Sequence, residues 1–119
     1  MNIIEIELPY MPELGKNQMK GFRKGGGYYV QQGYKDAVQA IVSLLVMKGK
    51  GIKWKQDKVW VEIFLQKSRP NSDVANFIDG IYDAIKIGIG VDDCWFAGKQ
   101  DFEYDKEIEP YIIITITQE

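Results

Sequence analysis

The chain has 119 residues, 45% of them apolar, and a formal net charge of −2, which together fit a single domain spanning residues 1–119 and exclude two. The lack of histidine excludes Ser-His-Asp and Cys-His catalysis and zinc sites built on imidazole, and Cys94 alone cannot form an intramolecular disulfide. No leader pattern opens the sequence and no apolar run approaches the roughly 20 residues that span a bilayer, so we expect a cytoplasmic protein without a membrane segment.

Charge is distributed unevenly along the chain. Residues 1–70 carry 12 basic and 6 acidic side chains, a balance of +6, whereas residues 71–119 carry 3 basic and 11 acidic side chains, a balance of −8. This asymmetry fits a basic surface for a polyanion beside an acidic metal site, and it equally fits an ordinary polar surface. A metal ion bound without imidazole would be held by oxygen ligands, which favours magnesium or manganese.

The first half of the chain predicts a strand, a long loop and a helix. Asn2 to Leu8 alternates apolar and polar residues as a half-exposed strand does. Pro9 to Gly33 has no sustained period, which predicts a loop of about 25 residues. Tyr34 to Met47 has apolar residues at helical spacing, and Gly49 is expected to end this helix.

The later strands are predicted from two different patterns. Val59 to Gln66 alternates in the manner of a strand with one buried face. Tyr111 to Thr117 is a β-branched run at the end of an aromatic and acidic segment. We expect two strands in this tail, joined near residues 106–110 as an antiparallel hairpin.

Between these strands the sequence predicts a helix from about 73 to 87. N-cap candidates follow Pro70, and the apolar residues form one helical stripe. Gly88 and Gly90 are expected to end the helix.

Acidic residues cluster on and around this predicted helix. Asn76, Asp79 and Asp83 have the spacing of one helix face, Asp73 lies at the helix start, and Asp92-Asp93 follows the two glycines. These carboxylates would converge on a divalent cation if the helix packed back on the sheet. The other interpretation is a solvated helix face followed by an ordinary turn.

Three stretches make the chain resemble the RusA-type Holliday junction resolvases, small endonucleases often carried by phages and prophages. They are LPYMPELGKNQ, YVQQGYKDAV and, most specifically, SDVANFIDGIYDAI with the later VDD, and the resemblance covers nearly the whole chain. It implies an α+β fold with a small mixed or antiparallel sheet and two main helices. It also implies a homodimer that nicks four-way DNA junctions in recombination and repair with Mg²⁺, or with Mn²⁺ in its place.

By this resemblance Asp73 and Asp93 are catalytic, and Asp73, Asp92 and Asp93 bind the metal ion. Two positions depart from the family pattern, since Ala75 replaces a second metal-binding aspartate and Asp79 replaces a lysine. One hypothesis is that Asp79, four residues beyond Ala75 and therefore on the same helix face, is a further metal ligand. The alternatives are a junction-binding protein that does not cut, and an interaction protein of a mobile element with no role on DNA.

Basic side chains are the expected contacts to branched DNA. The residues assigned to phosphate binding are Lys16, Lys20, Arg23, Lys24, Lys67 and Arg69. The other interpretation of these residues is a set of soluble surface loops. Trp54, Trp60 and Trp95 are expected in internal packing or at a dimer interface.

Overall fold

The computed structural model describes residues 1–15, 20–22 and 28–119. The strands in this part of the chain are β1 (Asn2–Pro9), β2 (Lys20–Phe22), β3 (Tyr28–Val30), β4 (Val59–Lys67), β5 (Phe96–Tyr104) and β6 (Tyr111–Gln118). The α-helices are α1 (Gln32–Lys48) and α2 (Ile78–Ile89), and short 3-10 turns cover Pro12–Leu14, Val74–Phe77 and Asp93–Trp95. Within the described ranges no helix is both long enough and apolar enough to cross a membrane.

Four strands form one mixed sheet in the order β1-β6-β4-β5, and β2 and β3 pair separately as a short antiparallel ribbon. β6 is antiparallel to both of its neighbours, whereas β4 and β5 are parallel, with Val59 opposite Phe96. The connection from β4 to β5 runs through α2, which is the crossover that parallel neighbours require. The prediction of an α+β fold with a small mixed sheet and two main helices is confirmed.

The predicted hairpin of the last two strands is wrong, because β4 lies between β5 and β6. Alternate residues of β6 are buried, including Ile112, Ile114 and Ile116, and this suits a central strand. β5 is exposed from Gly98 to Tyr104, which suits an edge. Adjacency in sequence favoured the hairpin, but burial of the isoleucine run decides which strand is central.

Both helices cover the same face of the sheet. The inward residues of β1 and β4 alternate as predicted from Asn2–Leu8 and Val59–Gln66, and they join the buried stripe of each helix in one core. α1 begins two residues earlier than predicted and ends at Lys48, with Gly49 as its C-cap. Trp54 packs against this core, whereas Trp60 and Trp95 are exposed.

The stretch from Pro9 to Gly33 is not one long loop. It contains the end of β1, the turn Pro12–Leu14, the strands β2 and β3 and the start of α1. Leu14 is fully buried, so part of this stretch belongs to the core. Its glycines and prolines indicated breaks in regular structure, and the elements between those breaks are too short to show a period.

The helix predicted from 73 to 87 is two elements. A 3-10 turn covers Val74–Phe77, and α2 follows it as far as Ile89. Gly90, with a φ of 72°, is the C-cap as predicted, but Gly88 lies inside the helix. A Cβ at Gly88 would lie 2.8 Å from Cβ of Leu45, so glycine is needed there for the close approach of α1 and α2.

Candidate functional site

Asp73 begins the turn that leads into α2. It follows β4, and its Oδ1 accepts a hydrogen bond from the backbone N–H of Ala75 at 3.0 Å, which makes Asp73 the N-cap of the turn Val74–Phe77. The side chain of Asp73 is exposed. The first predicted metal ligand is therefore a surface carboxylate whose direction is fixed by local capping.

Asp92 and Asp93 lie together after the other end of α2. Oδ1 of Asp92 accepts a hydrogen bond from the backbone N–H of Cys94 at 3.1 Å and caps the turn Asp93–Trp95. This bond and the positive charge of Lys86 lower the pKa of Asp92. Asp92 is therefore an exposed anion at neutral pH.

The two carboxylate groups are separated by the length of α2. Because β4 and β5 are parallel and α2 connects them, Asp73 lies near the carboxyl end of β4, and Asp92-Asp93 lies near the amino end of β5. The 12 residues of α2 alone span about 18 Å. Among the residues that the structure describes, no three cysteine or acidic side chains lie close enough to hold a metal ion. One chain thus brings Asp92 and Asp93 together and leaves Asp73 apart from them.

Asp79 does not take the position that the sequence argument assumed. Ala75 lies in the 3-10 turn, whereas Asp79 lies in the first turn of α2, which begins only at Ile78. The four-residue spacing of an α-helix therefore does not apply between Ala75 and Asp79. Asp79 is exposed, and its negative charge is one of the influences on Tyr34.

Asp83 has a structural partner that the sequence analysis missed. The hydroxyl of Tyr34, on α1, donates a hydrogen bond to Oδ2 of Asp83 on α2. Burial of Tyr34, this hydrogen bond and the negative charges of Asp83 and Asp79 raise the pKa of the Tyr34 hydroxyl. Tyr34 was counted in the apolar stripe of α1, although a buried tyrosine hydroxyl usually requires a polar partner.

The two predicted DNA contacts with described side chains lie beside Asp73. Nζ of Lys67 donates hydrogen bonds to the carbonyl oxygens of Pro70 at 2.9 Å and Ser72 at 3.2 Å, and it also lies 4.1 Å from the ring centroid of Phe102. Lys67 therefore holds the loop that ends at Asp73. Arg69 is exposed in the same loop.

This loop forms one wall of a surface cleft of about 300 Å³. The cleft is lined by Tyr10, Pro12, Lys67, Ser68, Arg69, Ser72 and Pro110. Its two charged lining side chains are cationic, and Ser72 directly precedes Asp73 in the chain. The cleft therefore places two cationic side chains beside the loop that leads to the exposed Asp73.

The other predicted DNA contacts cannot be placed in the same way. Lys16, Arg23 and Lys24 lie outside the described residues. Lys20 is the first residue of β2, opposite Val30. Their assignment to phosphate binding stays a prediction.

In comparisons with known proteins, no family model matches this sequence and no curated protein matches it. The resemblance to junction resolvases therefore rests on the three sequence stretches alone.

Proposed function

We propose that the protein is a metal-dependent endonuclease that nicks four-way DNA junctions, in the manner of the RusA-type resolvases that its sequence resembles. The observation that carries this proposal is the cationic cleft of Lys67 and Arg69, lined by the loop that leads to the exposed Asp73. Basic side chains position the phosphate backbone, and carboxylate oxygens are the ligands that Mg²⁺ and Mn²⁺ prefer. Asp73 and Asp93 are the proposed catalytic residues.

The proposed metal centre needs two chains. Asp73 and the pair Asp92-Asp93 lie at opposite ends of α2, so these three carboxylates of one chain do not meet around a single cation. A twofold axis that sets two α2 helices antiparallel brings Asp73 of one copy to the same end as Asp92 and Asp93 of the other. We therefore propose a homodimer, with Asp79 as an additional ligand.

In this arrangement each residue has a distinct part. Asp73, Asp92 and Asp93 hold the cation, and Arg69 orients a phosphate of the DNA. Lys67 fixes the loop between them through the carbonyls of Pro70 and Ser72. A divalent cation supplies charge stabilisation to a phosphodiester undergoing hydrolysis.

The second candidate is a protein that binds four-way junctions without cutting them. It is favoured by one observation, which is that Asp79 does not share an α-helical face with Ala75. The carboxylate that the family pattern places at position 75 therefore has no replacement at the corresponding point of this chain.

A nicking assay tests both candidates. The natural protein, its Ala75→Asp variant and its Asp73→Asn variant are incubated with a labelled four-way junction in Mg²⁺, with a linear duplex of the same sequence as the substrate control. Asp36→Asn is the matched protein control, because Asp36 is an exposed aspartate of α1 that pairs with Gln32.

We expect the natural protein and Asp36→Asn to nick the junction and Asp73→Asn to lose this activity. Cutting by Ala75→Asp alone, with junction binding retained by the natural protein, would support the second candidate. If no variant cuts and the natural protein binds the junction no better than the duplex, both candidates are wrong.

A further inference from the structure

The edge strand β5 is exposed along most of its length. β5 is the last strand of the four-stranded sheet, paired with β4 on one side only among the described strands. It has nine residues, and the seven from Gly98 to Tyr104 are all exposed. Long exposed edges are templates for strand pairing, and natural proteins usually shorten or block them.

We infer that two copies join through β5 in an antiparallel pair, with Gln100 of one copy directly opposite Gln100 of the other across the twofold axis. The twofold axis of such a pair is perpendicular to the sheet. Because directly opposite residues point to the same face, one residue of β5 must lie opposite the same residue of the second copy at the axis. The Gln100 register uses the whole strand from Phe96 to Tyr104. It forms one continuous eight-stranded sheet from the two four-stranded sheets.

Charge complementarity selects this register. With Gln100 at the centre, Lys99 of each copy lies opposite Asp101 of the other, so two opposite-charge pairs form by symmetry. A shift of the centre by one residue opposes Lys99 to itself or Asp101 to itself. A further shift toward Tyr104 opposes Asp101 to Glu103. Only the central register combines full length with favourable charge pairs.

The exposed aromatic residues of β5 fit the same register. Phe102 and Tyr104 are 50% and 49% exposed, and they lie on the helix side of the sheet because Phe102 is beside the buried Leu65. Pairing about Gln100 sets Phe102 opposite Gly98 of the second copy, where no side chain obstructs the ring. It also sets Tyr104 opposite Phe96, an aromatic pair across the seam.

The other edge strand, β1, does not favour the same kind of pairing. β1 carries exposed Glu5 and Glu7 on its outer face. A twofold pair centred on Glu5 opposes Glu5 to itself, and one centred on Ile6 opposes Glu5 to Glu7. Like charges in direct opposition destabilise strand pairs. Self-pairing is therefore unfavourable for β1 and favourable for β5.

The twofold axis perpendicular to the sheet reverses the strand and helix directions of one copy relative to the other. It leaves the helices of both copies on the same face of the sheet. The two α2 helices are then antiparallel, as the proposed metal centre requires. The inference itself rests on the strand and not on the proposed function, and its test measures mass and not activity.

Charge exchange at the seam provides the test. Lys99→Asp opposes acidic residues to Asp101, and Asp101→Lys opposes basic residues to Lys99. Each variant alone is expected to raise the dimer dissociation constant about tenfold or more. An equal mixture of the two variants restores both charge pairs in a heterodimer. Lys106→Asp, in the exposed turn after β5, is the matched control and is expected to leave the dimer unchanged.

Mass is measured by sedimentation velocity over a range of concentrations, with circular dichroism to show that each variant is folded. The expected result is a natural dimer, two weakened variants and a restored dimer in the mixture. A natural protein that is monomeric throughout would overturn the inference, and so would folded single variants that dimerise as well as the natural protein. A mixture that does not recover would exclude the Gln100 register.

Discussion

Tyr34 and Asp83 connect the two helices of the fold through a hydrogen bond from the buried tyrosine hydroxyl to the half-buried carboxylate. Asp83 is therefore part of the packing of α1 against α2, although the sequence places it on an acidic face with Asp79. The two aspartates of this helix therefore differ in role. Asp83 is a structural residue, whereas Asp79, one turn away, is exposed.

Removal of the Tyr34 hydroxyl is expected to destabilise the fold. Tyr34→Phe leaves the Asp83 carboxylate without its donor on α1, so we expect the free energy of unfolding to fall by about 1–2 kcal/mol. Urea unfolding at pH 7 measures this change. Tyr111→Phe, at a partly exposed tyrosine of β6 that does not adjoin β5, is the control and should change stability by less than about 0.5 kcal/mol. Equal losses in the two variants would contradict a structural role for the Tyr34 hydroxyl.

The Asp92 cap makes stability depend on pH. Its pKa in the folded state is lowered from 3.8, so its contribution to stability is complete above the unfolded value and is lost as pH falls through the folded value. Asp92→Asn should therefore be less stable than the natural protein at pH 7, and the difference should shrink as the pH falls below 3.8. Unfolding by urea across this range measures it, with the exposed Glu109→Gln as control. A difference that grows toward low pH would show that the sign is wrong.

The contact between Gly88 and Leu45 predicts opposite effects for two glycine substitutions. Gly88→Ala forces α1 and α2 apart, and we expect a loss of about 1–3 kcal/mol in the free energy of unfolding. Gly33→Ala, in the first turn of α1, meets only the Glu13 side chain at 3.5 Å and should stabilise by about 0.4–1 kcal/mol. Thermal unfolding of both variants compares them directly. Stabilisation by Gly88→Ala would contradict the close helix packing.

Arg69 and Lys67 are expected to differ in their effects. Arg69→Gln should weaken binding of a four-way junction and lower the slope of log affinity against log salt by about 1, without a change in stability. Lys67→Gln should also lower stability, since Lys67 holds the carbonyls of Pro70 and Ser72. Titrations at several salt concentrations and urea unfolding separate these outcomes. An unchanged salt slope in Arg69→Gln, as in the control Lys106→Gln, would exclude Arg69 from phosphate contact.

Much of the fold could be predicted from the sequence because its strands and helices have clear periods. β1, α1 and β4 lie close to their predicted bounds, and the β-branched tail is a strand. The order of the strands was not predictable in the same way, because it depends on which strands pair with a neighbour along both edges. The polar composition of β5 was the relevant signal.

The candidate site was predicted less completely, for two physical reasons. Helix length alone separates Asp73 from Asp93, and 1.5 Å per residue applied to the predicted helix would have shown this. The change from a 3-10 turn to an α-helix at Ile78 moves Asp79 out of register with Ala75, and no residue pattern indicates that change. The sequence identified which carboxylates are candidates for the site. The distances between these carboxylates depend on the turn and the helix that connect them.

The place of β6 in the sheet also governs how the protein can form during its synthesis. Residues 111–118 lie between β1 and β4 in the sheet. The strand that pairs with β1 is therefore synthesised about a hundred residues after it. Neither strand can complete its hydrogen bonds before this segment has left the ribosome. Contacts this distant in sequence slow folding and expose unpaired strands in the meantime. Completion of the sheet therefore depends on β6, and removal of residues 111–118 would leave β1 and β4 without the strand that joins them.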